Sequence, residues 1–167
     1  MSAATVAAPQ TPRHPARVLL SLLEEHGMAE HAVRVSALAA AMCRQMGISP
    51  RAARVIDLAA LLHDVGELAA PDDRDPAVVG EQALLRCPGL ECTATLVRHV
   101  GERFDGRGRP DGLKGSLIPL GARIIAVADA WDTAVSYDAA VETVIGSSGT
   151  RFDPAVVAAV MAVAPRP

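Results

Sequence analysis

Apolar side chains recur along this chain at helical spacing, and glycine, proline and capping residues cut the pattern into segments. Val18, Leu19, Leu22 and Leu23 form a stripe from Ala16 that stops at His26-Gly27, with glycine as C-cap. A second helix is predicted over about Ala29–Met46, carrying Val33, Val35, Leu38, Ala41 and Met42 and stopping at Gly47. Ser49-Pro50 is a start signal for a third helix, from Arg51 to about His63. An acidic turn spans Ala69–Asp75, and short helices are expected near Ala77–Arg86 and Leu90–Val100. Residues Glu102–Ser116 (ERFDGRGRPDGLKGS) hold four glycines and a proline, which precludes regular structure. Pro119 opens the longest apolar helix, about Leu120–Ser136, followed by a short one near Ala139–Ile145. Asp153-Pro154 caps the last, through Val163. No internal repeat and no strand signal stands out.

Alanine, valine and leucine dominate the 50% of residues that are apolar, and aromatics make up only 2%. Alanine and leucine favour helices, and small side chains let helices pack closely, so the chain is predicted to be an all-α bundle. Its 167 residues suffice for a core without staples. Residues 1–13, rich in Ala, Pro and Thr, are expected as a loose tail and 14–167 as a single domain. A net charge of −3 excludes a globally basic nucleic-acid binder. Cys43, Cys87 and Cys92 are an odd number without Cys-x-x-Cys spacing, so they read as reduced thiols. No apolar run reaches the roughly twenty residues a membrane span needs, and no leader pattern opens the chain. A soluble, cytoplasmic protein is the expectation.

The chemistry concentrates at His63-Asp64, which ends the apolar run Val55–Leu62. A buried carboxylate is costly without a partner. His31 lies upstream in AEHAVRVSALAAAM and Asp129 downstream in ARIIAVADAWDTA, both at helical sites. Two histidines and two carboxylates from three helices suit a nitrogen/oxygen metal site. The bland alternatives are a mutual polar cluster without metal and, for His31, a surface histidine. His14 and His26 read as tail and helix-end residues.

The segment GERFDGRGRPDGLKGSLIPLGARIIAVADAWDTAVS resembles the signature of the HD-GYP domains, the bacterial branch of the HD superfamily of metal-dependent phosphohydrolases. The similarity runs from about His14 to Val163, taking in HAVRVSALA, LLHDVGE and the closing SSGTRFDPAVV. It implies an HD-domain bundle of about seven or eight helices, with His63 and Asp64 on the HD pair and Asp129 on the late metal-ligand aspartate. His31 falls on the upstream histidine of the H…HD…D pattern. Several family positions differ. Val100-Gly101 replaces the His-His pair, Glu67 replaces the lysine that contacts substrate phosphate, and Arg109 replaces the tyrosine of GYP. The stretch after the HD pair is shortened, with Asp75-Pro76 nearest a lost ligand, and residues are missing after Ser136.

The resemblance with these departures implies one divalent transition metal (manganese, iron, cobalt or nickel, with zinc also compatible) on His31, His63, Asp64 and Asp129. The expected activity is hydrolysis of a nucleotide or another small phosphate ester, with cyclic di-GMP not turned over. The alternative is a degenerate HD-GYP-like module serving as a ligand-binding or protein-interaction domain. Asp64 is the candidate to orient or deprotonate water. Glu67 is a candidate general base, against the reading of a solvated turn residue, and His99 is a candidate pocket-rim proton donor. Among the cations Arg98, Arg103, Arg107, Arg109, Lys114 and Arg123, a phosphate clamp is expected first at Arg98 or Arg103, with Arg109 also a candidate. Asp132, three residues after Asp129, is expected beside the ligands or the substrate. Asp105-Gly106 reads as a turn that fixes the loop. The expected partner is a small phosphorylated molecule, with neither membrane nor nucleic acid, and the sequence leaves the oligomeric state open.

Overall fold

The computed structural model describes residues 15–164 except 69, 71 and 72, so the tail expected over 1–13 lies outside the described residues, as do His14 and part of the acidic turn. The helices are α1 (Pro15–Glu25), α2 (Ala29–Gln45), α3 (Pro50–Leu61), α4 (Pro76–Leu85), α5 (Glu91–Arg98), α6 (Leu120–Asp132), α7 (Tyr137–Gly146) and α8 (Pro154–Val163). Short 3₁₀ turns occupy Val65–Leu68 and Gly115–Leu117. Among the described residues the only extended pairing is an isolated bridge between Ser148 and Phe152.

Side-chain caps start four of these helices. Ser49, Asp75, Ser136 and Asp153 each accept from a backbone N–H of the following turn. Three of them are followed at once by proline, whose missing N–H would be orphaned there anyway. α2 is terminated by Gly47, two residues beyond its last residue, whose φ of +67° only glycine adopts without strain. Ile48 N–H then returns to the Cys43 carbonyl.

Two predicted helix ends move. α3 stops at Leu61, not His63, because the chain tightens into a 3₁₀ turn in which Leu62 N–H bonds the Ala59 carbonyl and Val65 N–H the Leu62 carbonyl. His63 and Asp64 therefore project from a turn. α6 stops at Asp132, not Ser136, because Ser136 is extended and caps α7. α6, with 13 residues, is also shorter than the 17-residue α2.

α6 lies at the centre of the bundle, against α2, α3, α5, α7 and α8. It buries Ile124, Ile125, Val127 and Ala128 on successive turns, which explains a helix apolar nearly all round. Val35, Ala39 and Met42 of α2, Ala59 and Ala60 of α3 and Val156 and Val160 of α8 complete the same core. The three cysteines are free thiols, Cys43 buried, Cys87 intermediate and Cys92 exposed.

Gly66 fixes where the turn after α3 sits. A Cβ there would lie 1.9 Å from the Pro76 carbonyl oxygen and 2.8 Å from the Gly80 nitrogen, both backbone atoms of α4. Gly66→Ala must therefore push α4 away from the turn that carries His63 and Asp64. Overpacking of this kind costs about 1–3 kcal/mol. The expected result is a fall in melting temperature of roughly 2–12 °C for a domain of this size, read by circular dichroism; an unchanged melt would contradict the close approach.

Candidate metal centre

Three elements converge on one point. His31 stands in the first turn of α2, His63 and Asp64 in the turn after α3, and Asp129 on α6. His31 Nε2 lies 3.3 Å from His63 Nε2 and 3.3 Å from Asp129 Oδ1. His63 Nε2 lies 3.2 Å from Asp64 Oδ1 and 3.8 Å from Asp129 Oδ1, and His31 Nε2 lies 3.7 Å from Asp64 Oδ2. The His63 side chain is almost fully buried, whereas Asp64 and Asp129 remain 33% and 28% exposed. The carboxylates thus stand at the edge of a pocket, not in the sealed core the sequence suggested.

The other ring nitrogens decide what these atoms can do. His63 Nδ1 donates to the Ala60 carbonyl at 2.8 Å, and His31 Nδ1 donates to Asp132 Oδ2 at 2.8 Å. Neither acceptor carries a proton, so in both neutral rings the hydrogen is on Nδ1 and Nε2 is a bare lone pair. Two such nitrogens and two carboxylates then face one another with no donor among them. A cation resolves this. With metal–ligand distances of about 2.1 Å, neighbouring ligands stand about 3.0 Å apart at octahedral angles and about 3.4 Å apart at tetrahedral ones. The observed separations of 3.2–3.8 Å suit a cation shared by imidazole and carboxylate donors, and the tightest group of such atoms is His31, His63 and Asp129. Outer hydrogen bonds to Nδ1 are how metal-binding histidines are held.

A proton feels the same field. Burial pulls the His63 imidazolium down, but the carboxylates of Asp129 and Asp64 and the Ala60 carbonyl outweigh it, and its pKa rises above the ordinary value.

The pocket beside the cluster has a volume of about 220 Å³. His63, Asp64 and Asp129 line it together with Glu67, Asp75, Arg109, Val100 and Gly101. Glu67 is exposed and Arg109 is 84% exposed, its Nε 4.0 Å from Asp75. Of the residues expected at substrate or catalysis, Asp64, Glu67 and Arg109 therefore share the pocket.

Arg98, His99, Arg103 and Asp132 do not line it. Arg98 forks onto Asp111 with two 2.8 Å bonds and reaches Glu81 at 2.6 Å. That fork holds the Asp111 carboxyl down at about 2. His99 bonds the Thr95 carbonyl and Asp111. Arg103 is paired with Asp105, whose carboxyl is likewise lowered to about 2 and also accepts from Arg107 N–H. That turn is the one expected at Asp105-Gly106. Arg123 pairs with Asp153 and the Ile118 carbonyl, tying α6 to the cap of α8. Asp132 sits behind His31, where Arg34 also engages it. These groups are engaged in pairings within the fold, and Asp132, expected beside the ligands or the substrate, stands beside His31.

His99, Glu102 and Asp111 form a second group with metal-ligand chemistry. Glu102, 4% exposed, accepts from the N–H groups of Asp111 and Leu113, one on each oxygen. With Asp111 filled by Arg98, the group is satisfied without an ion and organises the glycine-rich loop. Sequence reasoning missed Glu102 and Arg34. Nothing marks Glu102 among the other acids of its loop, but Arg34 follows His31 by three residues, the spacing at which Asp132 follows Asp129.

Residues 28–134 match the HD domain family, and the chain belongs to it. It is 34% identical over 156 residues to the cyclic di-GMP phosphodiesterase response regulator RpfG of Xanthomonas campestris, covering 77% of this chain and 41% of that protein. It is 31% identical to a cyclic di-GMP phosphodiesterase of Vibrio cholerae, covering 70% of this chain and 30% of that one. The chain thus spans less than half the length of these curated relatives. Among solved structures, a cyclic GMP-AMP-specific phosphodiesterase of Vibrio cholerae superposes with a TM-score of 0.78 at 20% identity, over 91% of this chain and 49% of that one. An HDGYP protein from Bdellovibrio bacteriovorus gives 0.67 at 19% identity, over 87% and 60%. At those identities the superpositions establish the HD helical fold. No helix among the described residues is long and apolar enough to cross a membrane.

The raised His63 pKa sets a pH dependence. Below the raised value the metal-free cluster keeps a proton that a divalent ion must displace. Metal affinity should therefore strengthen as pH rises through that value, by up to about tenfold per pH unit for one displaced proton. For the metal-free chain the sign is opposite: the His63 proton favours the fold below the ordinary value of 6.5, and that stability is lost as pH rises through the raised one. Calorimetric titration with Mn²⁺ between pH 6 and 8 measures the first effect, and a pH-independent affinity would contradict the cluster's charge assignment.

Proposed function

We propose that this chain is a metal-dependent phosphohydrolase acting on a nucleotide or another small phosphate ester, with one divalent transition ion held by His31, His63, Asp64 and Asp129. The observation that carries this reading is the pair of imidazole Nε2 atoms, 3.3 Å apart, set among the carboxylates of Asp64 and Asp129, which line a pocket together with His63. Manganese, iron, cobalt or nickel suits this mixed donor set, and zinc is compatible with it. Such an ion, when bound, lowers the pKa of water and neutralises charge developing on phosphorus. The relatives' names, which specify cyclic di-GMP and 3′3′-cGAMP phosphodiesterases, support phosphate-ester chemistry on nucleotides.

The chain's own residues divide the remaining work. Asp64 lies at the pocket edge, so its carboxylate is the group to orient an attacking water and accept its proton. Arg109 is the one cationic side chain among the residues lining the pocket, and its guanidinium fork suits a phosphoryl oxygen. Glu67 at the mouth adds negative charge that opposes a second phosphate. Val100 and Gly101, at the positions of the family's His-His pair, line the pocket without a side-chain nitrogen. Beyond the four candidate ligands the lining offers only the carboxylates of Glu67 and Asp75, which supports a single ion over a pair. The volume of about 220 Å³ is below the roughly 300–1,000 Å³ usual for drug-sized ligands. Both features favour a small ester over a cyclic dinucleotide.

The test is the full chain reconstituted with Mn²⁺, Fe²⁺ or Ni²⁺ and assayed on a panel of nucleotides and phosphate esters. The expected outcome is about one ion per chain by elemental analysis and turnover of at least one panel member, with cyclic di-GMP at background. His63→Ala and Asp64→Ala should each lower activity by more than about a hundredfold, beyond what loss of an outer-sphere partner costs. A chain that retains no metal under any of these conditions would overturn the enzyme reading in favour of a ligand-binding or interaction module.

A further inference from the structure

The metal-ligand candidates of α2 and α6 are each followed, three residues on, by a second polar side chain. Arg34 follows His31 and Asp132 follows Asp129, a spacing that puts each pair on one helix face. The two followers meet where α2 packs on α6. Arg34 Nε donates to Asp132 Oδ1 at 2.8 Å and Nη2 to Asp132 Oδ2 at 3.0 Å. The same Oδ2 accepts from His31 Nδ1 at 2.8 Å. His31, Asp132 and Arg34 thus form one chain of hydrogen bonds leading away from the pocket.

We propose that Arg34 is a positioning residue for the metal centre, holding the Asp132 carboxylate in the orientation that keeps the His31 proton on Nδ1 and aims Nε2 at the ion. This rests on the reading of His31 as a ligand. A carboxylate's last torsion has a broad, roughly two-fold profile, so a single acceptor bond leaves Asp132 free to rock. Two parallel N–H donors from a planar guanidinium remove that freedom, and lysine has no equivalent fork. Arg34 is 56% exposed, and exposed ion pairs contribute little to folding stability. Its side chain is therefore expected to matter more to the site than to the fold.

The sign of one measurement separates positioning from simple electrostatics. Arg34 carries charge of the same sign as a metal ion, so removing it would by Coulomb's law strengthen Mn²⁺ binding. Loss of positioning weakens it. Mn²⁺ is titrated calorimetrically into the full chain as wild type, Arg34→Gln, Arg34→Lys and Arg44→Gln, the last removing an exposed cation near the far end of α2. The proposal expects Arg34→Gln to bind Mn²⁺ about ten- to a hundredfold more weakly, the range for an outer-sphere partner. Arg34→Lys should recover only part of that loss, Arg44→Gln should match wild type, and the metal-free melting temperatures should stay close together. ¹⁵N NMR of the metal-free chain should place the His31 proton on Nδ1 in wild type and show a mixture of tautomers in Arg34→Gln. Equal or tighter Mn²⁺ binding by Arg34→Gln, with the His31 proton still on Nδ1, would overturn the proposal. Absence of Mn²⁺ binding by wild type would sink the metal reading instead, and the tautomer comparison would still decide what Arg34 does.

Discussion

Two imidazole Nε2 atoms held within 3.2–3.8 Å of the carboxylates of Asp64 and Asp129 are the constraint around which the site is arranged. Carbonyl and carboxylate acceptors fix the proton of His31 and of His63 on Nδ1, and both Nε2 atoms then point at Asp64 and Asp129. The arrangement is unfavourable for an empty neutral cluster and favourable around a cation. Each surrounding feature serves to hold it: a 3₁₀ tightening that ends α3 before His63, a glycine that lets that turn lie on α4, and an arginine fork behind His31.

The apolar core and the polar centre share the same helices, divided by face. α6 buries Ile124, Ile125, Val127 and Ala128 while presenting Asp129 to the pocket. α2 buries Val35, Ala39 and Met42 while its first turn carries His31. Tight packing of small side chains leaves little room for either helix to slide, so the separation of the candidate ligands across them is set by the core. The glycine-rich loop is held separately. Buried Glu102 grips two of its backbone N–H groups, and the Arg98–Asp111 fork clamps it to α5. Arg109, in the same loop, lines the pocket with its Nε 4.0 Å from Asp75.

Most of the bundle was legible because helix periodicity, capping side chains and terminal glycines are local signals, and the eight α-helices of the described residues follow from them. The ligand candidates were legible for a related reason: histidine and aspartate in or beside apolar runs demand partners. What could not be read were pairings set by three-dimensional proximity. Arg34 and Asp132 are 98 residues apart in sequence, and nothing local says that they meet. Arg98 looked like a phosphate clamp because its two carboxylates come from α4 and from the loop, and only the fold brings them to it. The ends of α3 and α6 ran long on paper because Leu62 and Ala134 continue a helical pattern that tertiary contacts and the cap at Ser136 interrupt.

X-ray absorption of the manganese- or iron-loaded chain tests the central claim most directly, because it reports the ligands themselves. The account predicts a single shell of nitrogen and oxygen donors at about 2.0–2.2 Å. It also predicts the outer-shell scattering of two imidazole rings, and no metal–metal vector in the roughly 3.5–4 Å range of two-ion sites. A spectrum without imidazole scattering, or one with a metal–metal vector, would contradict it.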